Sequence, residues 1–199
     1  MDRVEERIAG EDWALAELAR DTFTGCELVD VDLTEAELTG CVFERCELSG
    51  VKLNAATLRD CALLHCTVRR CSFFGATLHG CKLTGTAFVG CELRPLQVRG
   101  GDWAYVALRG QQLAGLDLSG LKLREADLTE ADLTGADLRG ADLGYARLDR
   151  AVLREADLRG ADLAGVQLRG LDLTGVRIDL TQAALVATAY GAVVEPGTG

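Results

Sequence analysis

The sequence predicts an all-β solenoid, and three observations carry that prediction. An apolar residue recurs every five positions from Trp13 to Ile178, 34 sites without an insertion, all Leu, Phe, Val, Ile or Trp. Two positions earlier runs a second series, mostly alanine in the C-terminal half and often cysteine in the N-terminal half. Glycine concentrates two positions after the apolar centre, as at Gly40, Gly50, Gly80, Gly110, Gly135, Gly140, Gly160 and Gly170. A helix repeats its face every 3.6 residues and a strand every 2, so a strict period of five fits neither. It fits a chain that turns once per pentapeptide and stacks on itself. With the centre written i, alternation in an extended segment places i−2 and i together on the inward side. Positions i−1, i+1 and i+2 carry nearly all the charge and face water, and glycine at i+2 supplies a positive φ for the turn.

The elements follow in order. Residues 1–10 are acidic and are expected to form an N-terminal lead-in or cap, with Ile8 a possible extension of the phase. Residues 11–180 are the repeat body. Within it Arg94-Pro95-Leu96 replaces the usual glycine at i+2. Proline there removes a donor and fixes φ, so a small outward deviation is expected near mid-rod. Trp103 holds a centre position and is expected in the core; Tyr105 and Tyr145 form a weak candidate contact patch. Residues 181–199 break the phase. Thr181 is the expected cap of a short helix over 182–190, with Gly191 as its stop.

Composition excludes several function classes. At 48% hydrophobic the chain is no disordered acidic tail, and a net charge of −10 argues against direct nucleic-acid binding. No run approaches the ~20 apolar residues of a membrane helix, and no signal-peptide core follows Met1. Eight cysteines without an export signal point to a cytoplasmic location.

The cysteines Cys26, Cys41, Cys46, Cys61, Cys66, Cys71, Cys81 and Cys91 all occupy i−2, at spacings that are multiples of five. These spacings are unlike the C-x2-C of zinc sites, and all eight share the inward register, so they read as free, buried, unreactive thiols acting as small hydrophobes. His65 and His79 stand alone at outward positions. No phosphate loop, nucleophile elbow or metal motif interrupts the register, and a convex rod offers no water-excluding cleft. No catalytic residue, metal or cofactor is expected.

The repeated Ala/Cys-Asp-Leu-x-x unit resembles the pentapeptide-repeat family. Four further stretches sharpen the likeness: Phe88 to Leu96, Leu113 to Glu125, Ile178 to Ala184, and the late Tyr190-Gly191. They are similar to the MfpA/Qnr-like branch. That resemblance implies a right-handed quadrilateral β-helix with a short C-terminal helix. Residues 20 apart then stack in columns, and the coils span about 40 Å at ~4.8 Å each. It also implies a non-enzymatic homodimer joined through its C-terminal ends, which binds DNA gyrase by imitating DNA and protects it from quinolones or another gyrase poison. The dimer residues would be Ile178, Leu180, Ala184, Leu185 and Tyr190, and the rod about 80 Å long.

On that architecture Asp117, Asp137 and Asp157 form one vertical line, and Asp142 with Asp162 another; these and Asp132 are the candidate partner-binding carboxylates. Leu118, Leu128, Leu138 and Leu158 are the corresponding core centres. Arg59, Arg99, Arg139 and Arg159 share a neighbouring column, close enough to screen the aspartates. One net charge per ~4 Å of rod is sparser than the one per ~1.7 Å of duplex DNA, so imitation is confined to selected faces. The alternative is a scaffold repeat protein with another partner, in which the regularity serves folding alone.

Overall fold

The computed structural model describes residues 2–195. Its backbone pairing fixes the register at 20 residues. The parallel partners Asp2, Thr22, Val42, Ala62, Lys82, Asp102, Lys122, Asp142 and Asp162 step through nine stacked coils. Each coil has four sides, centred in one representative coil on Leu28, Leu33, Leu38 and Phe43. Those four side chains are at most 2% exposed. The inward series i−2 and i fills the rod, Leu118, Leu128, Leu138 and Leu158 included.

Apart from the corner at Pro95, each corner turns through a left-handed residue at i+2. Glycine takes many of these sites, as at Gly40 (φ 63°) and Gly140 (φ 65°), yet Glu130 (φ 61°) and Tyr145 (φ 59°) adopt the same conformation. That strain costs roughly 1–2 kcal/mol per non-glycine residue, and the ladders on both sides of each coil offset it. Gly101 is needed for a different reason. It occupies an inward i−2 site, where a Cβ would stand 2.3 Å from the carbonyl oxygen of Cys81.

Two kinds of corner divide the rod. In the first, the centre carbonyl closes a turn onto the amide three residues on, as Leu33 O does with Ala36 N (3.1 Å) and Leu138 O with Ala141 N (3.1 Å). This form dominates beyond residue 103. In the second, found on three sides of the N-terminal half, three residues run as a strand, as at Thr22–Thr24 and Glu47–Ser49. Among the described residues no turn bond closes on those centres. Where the residue 23 positions later carries a donor, the carbonyl of most of these centres accepts from that side chain instead. The thiols of Cys46, Cys66, Cys61 and Cys81 donate to the oxygens of Phe23 (3.2 Å), Phe43 (3.3 Å), Leu38 (3.4 Å) and Leu58 (3.4 Å). Cysteine therefore stands above strand-type corners and alanine above turned ones. The cysteines are free and buried as expected, with Cys91 half-buried, and they do more than fill space.

Thr86 continues the column of Cys26, Cys46 and Cys66, and takes the same bond with an oxygen. Its Oγ1 donates to Leu63 O (2.8 Å) and accepts from Cys66 N (3.2 Å) while fully buried. Thr86→Val keeps the shape and removes both bonds, so it is expected to cost about 1–3 kcal/mol. Urea denaturation reads this directly; an unchanged midpoint would show that the buried hydroxyl contributes nothing.

Both ends depart from the expectations. Of the lead-in assigned to 1–10, residue 1 lies outside the described residues and residues 2–10 are no separate cap: Asp2–Val4 and Arg7–Ala9 pair in register with Thr22–Thr24 and Glu27–Val29, and Ile8 is buried. Side chains close that end. The Arg3 guanidinium lies 5.5 Å over the Trp13 ring, which packs against Phe23 at 6.0 Å. At the other end the helix is Leu180–Ala189, and its cap is Asp179 rather than Thr181. Asp179 wins because its carboxylate also holds the coil beneath. One oxygen accepts from Gln182 N (3.0 Å), the other from Gly160 N (2.8 Å). Gly191 (φ 90°) follows the helix as expected. Of the tail assigned to 181–199, residues 196–199 lie outside the described residues.

The ladder is interrupted near Pro95. Ser72 pairs with Glu92 and Thr77 with Gln97, but among the described residues neither Glu92–Gln112 nor Gln97–Asp117 pairs. On the other two sides Asp102–Lys122 and Ala107–Asp127 continue. The cause lies inside as well as at the proline. Leu96 and Leu116 stack in a column that elsewhere holds Ala56, Ala76 and Ala136, and the larger side chains need more than one coil spacing. The opening leaves a surface groove of about 560 Å³ beside Pro95, Leu96 and Leu116. Trp103 is buried in the core just beyond it.

Candidate functional site

The candidate surface is built from aspartates at i−1, and the structure gives them a local task. In a turned corner the amide at i+1 lies outside the ladder, and the aspartate two residues earlier accepts from it. Asp117, Asp132, Asp137, Asp142, Asp157 and Asp162 take the amides of Ser119, Thr134, Arg139, Gly144, Arg159 and Ala164 at 2.9–3.2 Å. Asp12, Asp32, Asp102, Asp127 and Asp172 do the same. The side chain thus supplies a bond the backbone lacks. From Asp12 onward every aspartate at i−1 precedes a turned corner, whereas Glu17, Glu27, Glu37 and Glu47 precede strand-type corners. Glutamate, one methylene longer, is not recruited for this bond. The choice between Asp and Glu at i−1 is the signal in the sequence for this task.

The vertical lines exist as expected, with Asp117, Asp137 and Asp157 in register and followed by Arg177, and Asp142 above Lys122 and below Asp162. Their charge is largely matched. The Arg139 Nε lies 2.9 and 3.0 Å from the two oxygens of Asp137, and Arg159 Nε 2.9 and 3.2 Å from those of Asp157. Arg124 reaches Asp142 (3.2 Å) and Asp162 (3.5 Å), and lies 5.7 Å over the Tyr145 ring. Among the described residues Asp117 and Asp132 have no ion-pair partner. Screening by the arginines is therefore a set of direct bonds.

These contacts set the acid response. The Arg159 guanidinium, then its own amide, hold the Asp157 carboxyl down at about 2. The Arg139 guanidinium lowers Asp137, the Thr134 hydroxyl and amide lower Asp132, and the Gln182 amide lowers Asp179. A carboxyl with a depressed native pKa stabilises the fold above its unfolded value of about 4, and that contribution disappears as pH falls through the native value. The melting temperature should hold from pH 7 to about 4.5 and drop steeply between pH 4 and 2. A flat profile over that window would mean that these bonds do not bear on stability.

Tyr105 and Tyr145 are exposed on one corner, where the Tyr105 hydroxyl donates to Glu125 (3.0 Å). Of the candidate dimer residues, Leu180 is 90% exposed, Tyr190 57% and Leu185 41%, while Ala184 is intermediate. Ile178 packs against the core instead. The helix docks through Gln182, whose Nε2 donates to the carbonyls of Leu158 and Ala161, and through Val186 and Ala189. It covers the final coil incompletely: Leu171, Leu173 and Val176 remain partly exposed. Among the described residues no group of three His, Cys, Asp or Glu could hold a metal ion, and no helix is long and apolar enough to cross a membrane.

Comparison with known proteins places this architecture. A family model described as a pentapeptide repeat region matches residues 16–86, and one described as pentapeptide repeats (8 copies) matches 112–150 and 141–179. Comparison of the sequence with curated proteins finds no match. Two trypsin-treated variants of QnrB1, a plasmid-mediated fluoroquinolone resistance protein, share the fold at 24% identity. Their TM-scores are 0.82 and 0.81, covering 97% and 98% of this chain and 99% and 100% of those chains.

Proposed function

The chain belongs to the pentapeptide-repeat family, and from that premise we propose that it is a non-enzymatic, DNA-mimicking cytoplasmic protein that binds DNA gyrase. Bound there, it competes for the enzyme's basic DNA-binding surface and protects it from quinolones or other gyrase poisons. One observation carries this reading: the end-to-end likeness in fold to QnrB1, whose name describes fluoroquinolone resistance. The rod contributes convex faces carrying Asp117, Asp132, Asp137, Asp142, Asp157 and Asp162. Its arginine partners limit the charge available, so shape and size supply much of the mimicry. The incompletely covered C-terminal end supports an isologous dimer through Leu180, Leu185 and Tyr190, which would double the rod's length along its axis. The structural task of each i−1 aspartate favours the second reading, a scaffold protein with another partner in which regularity serves the fold.

Purified gyrase separates the two. Inhibition of supercoiling, together with fewer quinolone-induced breaks, is expected at micromolar protein. No effect on either at concentrations well above dimer formation would remove the gyrase reading. Replacing Asp117, Asp137 and Asp157 together by asparagine keeps the carbonyl that accepts the i+1 amide and removes three charges. At about 0.5–1 kcal/mol for each exposed charge contact, half-maximal inhibition should shift roughly tenfold or more, with an unchanged circular dichroism spectrum. An unshifted curve would assign those carboxylates to the fold alone.

A further inference from the structure

One face of the rod changes character at mid-length. Thr57, Thr77 and Gln97 are backbone partners on adjacent strands, as are Arg59, His79 and Arg99. The second of these columns later holds Arg139 and Arg159, each clamped by the aspartate two residues earlier. Arg59 and Arg99 have Thr57 and Gln97 at that position. Among the described residues neither guanidinium makes an ion pair or a side-chain hydrogen bond. The neighbouring acid, Asp60, leans over Gly80, where its carboxylate oxygen lies 2.5 Å from the place a Cβ would occupy. The six side chains line one open groove of about 320 Å³. Gln97 and Arg99 also line the groove at the broken ladder, so the two openings adjoin.

A guanidinium whose fork is not occupied by its own chain offers paired donors to a carboxylate or another oxyanion. The groove's two arginines lie in adjacent-but-one coils, about 10 Å apart at ~4.8 Å per coil. That is the reach of about three extended residues. A longer polyanion on this face meets Glu17 and Glu37 toward one end and Asp117, Asp137 and Asp157 toward the other. Charge thus selects a short anionic stretch over a nucleic-acid strand. We propose that this stripe docks a short acidic peptide segment of a protein partner, with its carboxylates on Arg59 and Arg99 and its polar backbone against Thr57, Thr77 and Gln97. The proposal is independent of the gyrase reading, and its test involves no topoisomerase.

The test uses the full chain and a fluorescein-labelled hexapeptide of alternating aspartate and glutamate, followed by anisotropy at low salt. The expected result is saturable binding, weakened at least tenfold in the double variant Arg59→Gln/Arg99→Gln and abolished for the corresponding amide hexapeptide. Arg154→Gln/Arg169→Gln, which removes two exposed cations elsewhere, should leave the affinity unchanged. Circular dichroism confirms that each variant is folded. Absence of saturable binding would overturn the proposal, as would equal losses in the two double variants. Tighter binding of a ten-nucleotide single strand through Arg59 and Arg99 would overturn it in favour of a nucleic-acid surface.

Discussion

Leu128→Ala is expected to destabilise the rod by about 2–5 kcal/mol, the range for truncating a fully buried leucine. Leu128 has no exposed surface and stacks between Leu108 and Leu148. The upper part of that range applies because the site cannot collapse. Leu128 N donates to Arg147 O (2.8 Å), while Asp127 N donates to Val106 O (2.8 Å). These bonds fix the separation of three coils, and the flanking Ala126 and Ala131 are too short to fill the hole. In a solenoid each coil depends on its neighbours, so the urea transition should broaden as well as move to lower concentration. A loss below about 1 kcal/mol would mean that the ladder relaxes around a void.

Leu180→Asp/Leu185→Asp is expected to convert the proposed dimer into a 21.2 kDa monomer without melting the helix. Leu180 is nearly fully exposed within one chain, and Leu185 also faces outward. Neither holds the helix to its own coil, a task left to Gln182, Val186 and Ala189. A carboxylate costs little in the monomer, about 0.5 kcal/mol of helix propensity at Leu185, and several kcal/mol when buried unpaired against a symmetry mate. Sedimentation equilibrium at micromolar concentration reads the mass. A monomeric parent protein, or a variant that still dimerises, would refute the C-terminal interface. Helicity measured in parallel distinguishes a broken interface from an unfolded one.

The two substitutions probe different levels of organisation, and the sequence was informative about them to different degrees. Leu128 was legible as core because the five-residue period alone assigns inside and outside. The same period extends to Ile8, yet the acidic composition of residues 1–10 masked a first coil that pairs as well as any other. At the helix, Asp179 and Thr181 are both competent caps in isolation. Only the position of Gly160 on the coil beneath decides between them, because one carboxylate can serve both amides.

The pentapeptide stretch from Ala126 to Leu143 shows where sequence stops and tertiary structure begins. By itself it determined an inward Ala and Leu, an outward Asp, and a turn every fifth residue, since period is a local property of the chain. Which corner each repeat adopts was decided by stacking. Centre carbonyls beneath alanine close their own turns, whereas most of those beneath cysteine or threonine accept from that side chain 23 residues later. The aspartates likewise acquired their role only once the i+1 amide was left outside the ladder. Residues 20 apart meet solely because coils stack. The arginines that neutralise Asp137 and Asp157, and those at Arg59 and Arg99 that neutralise nothing, are distinguished by that stacking and by the residue two places before each.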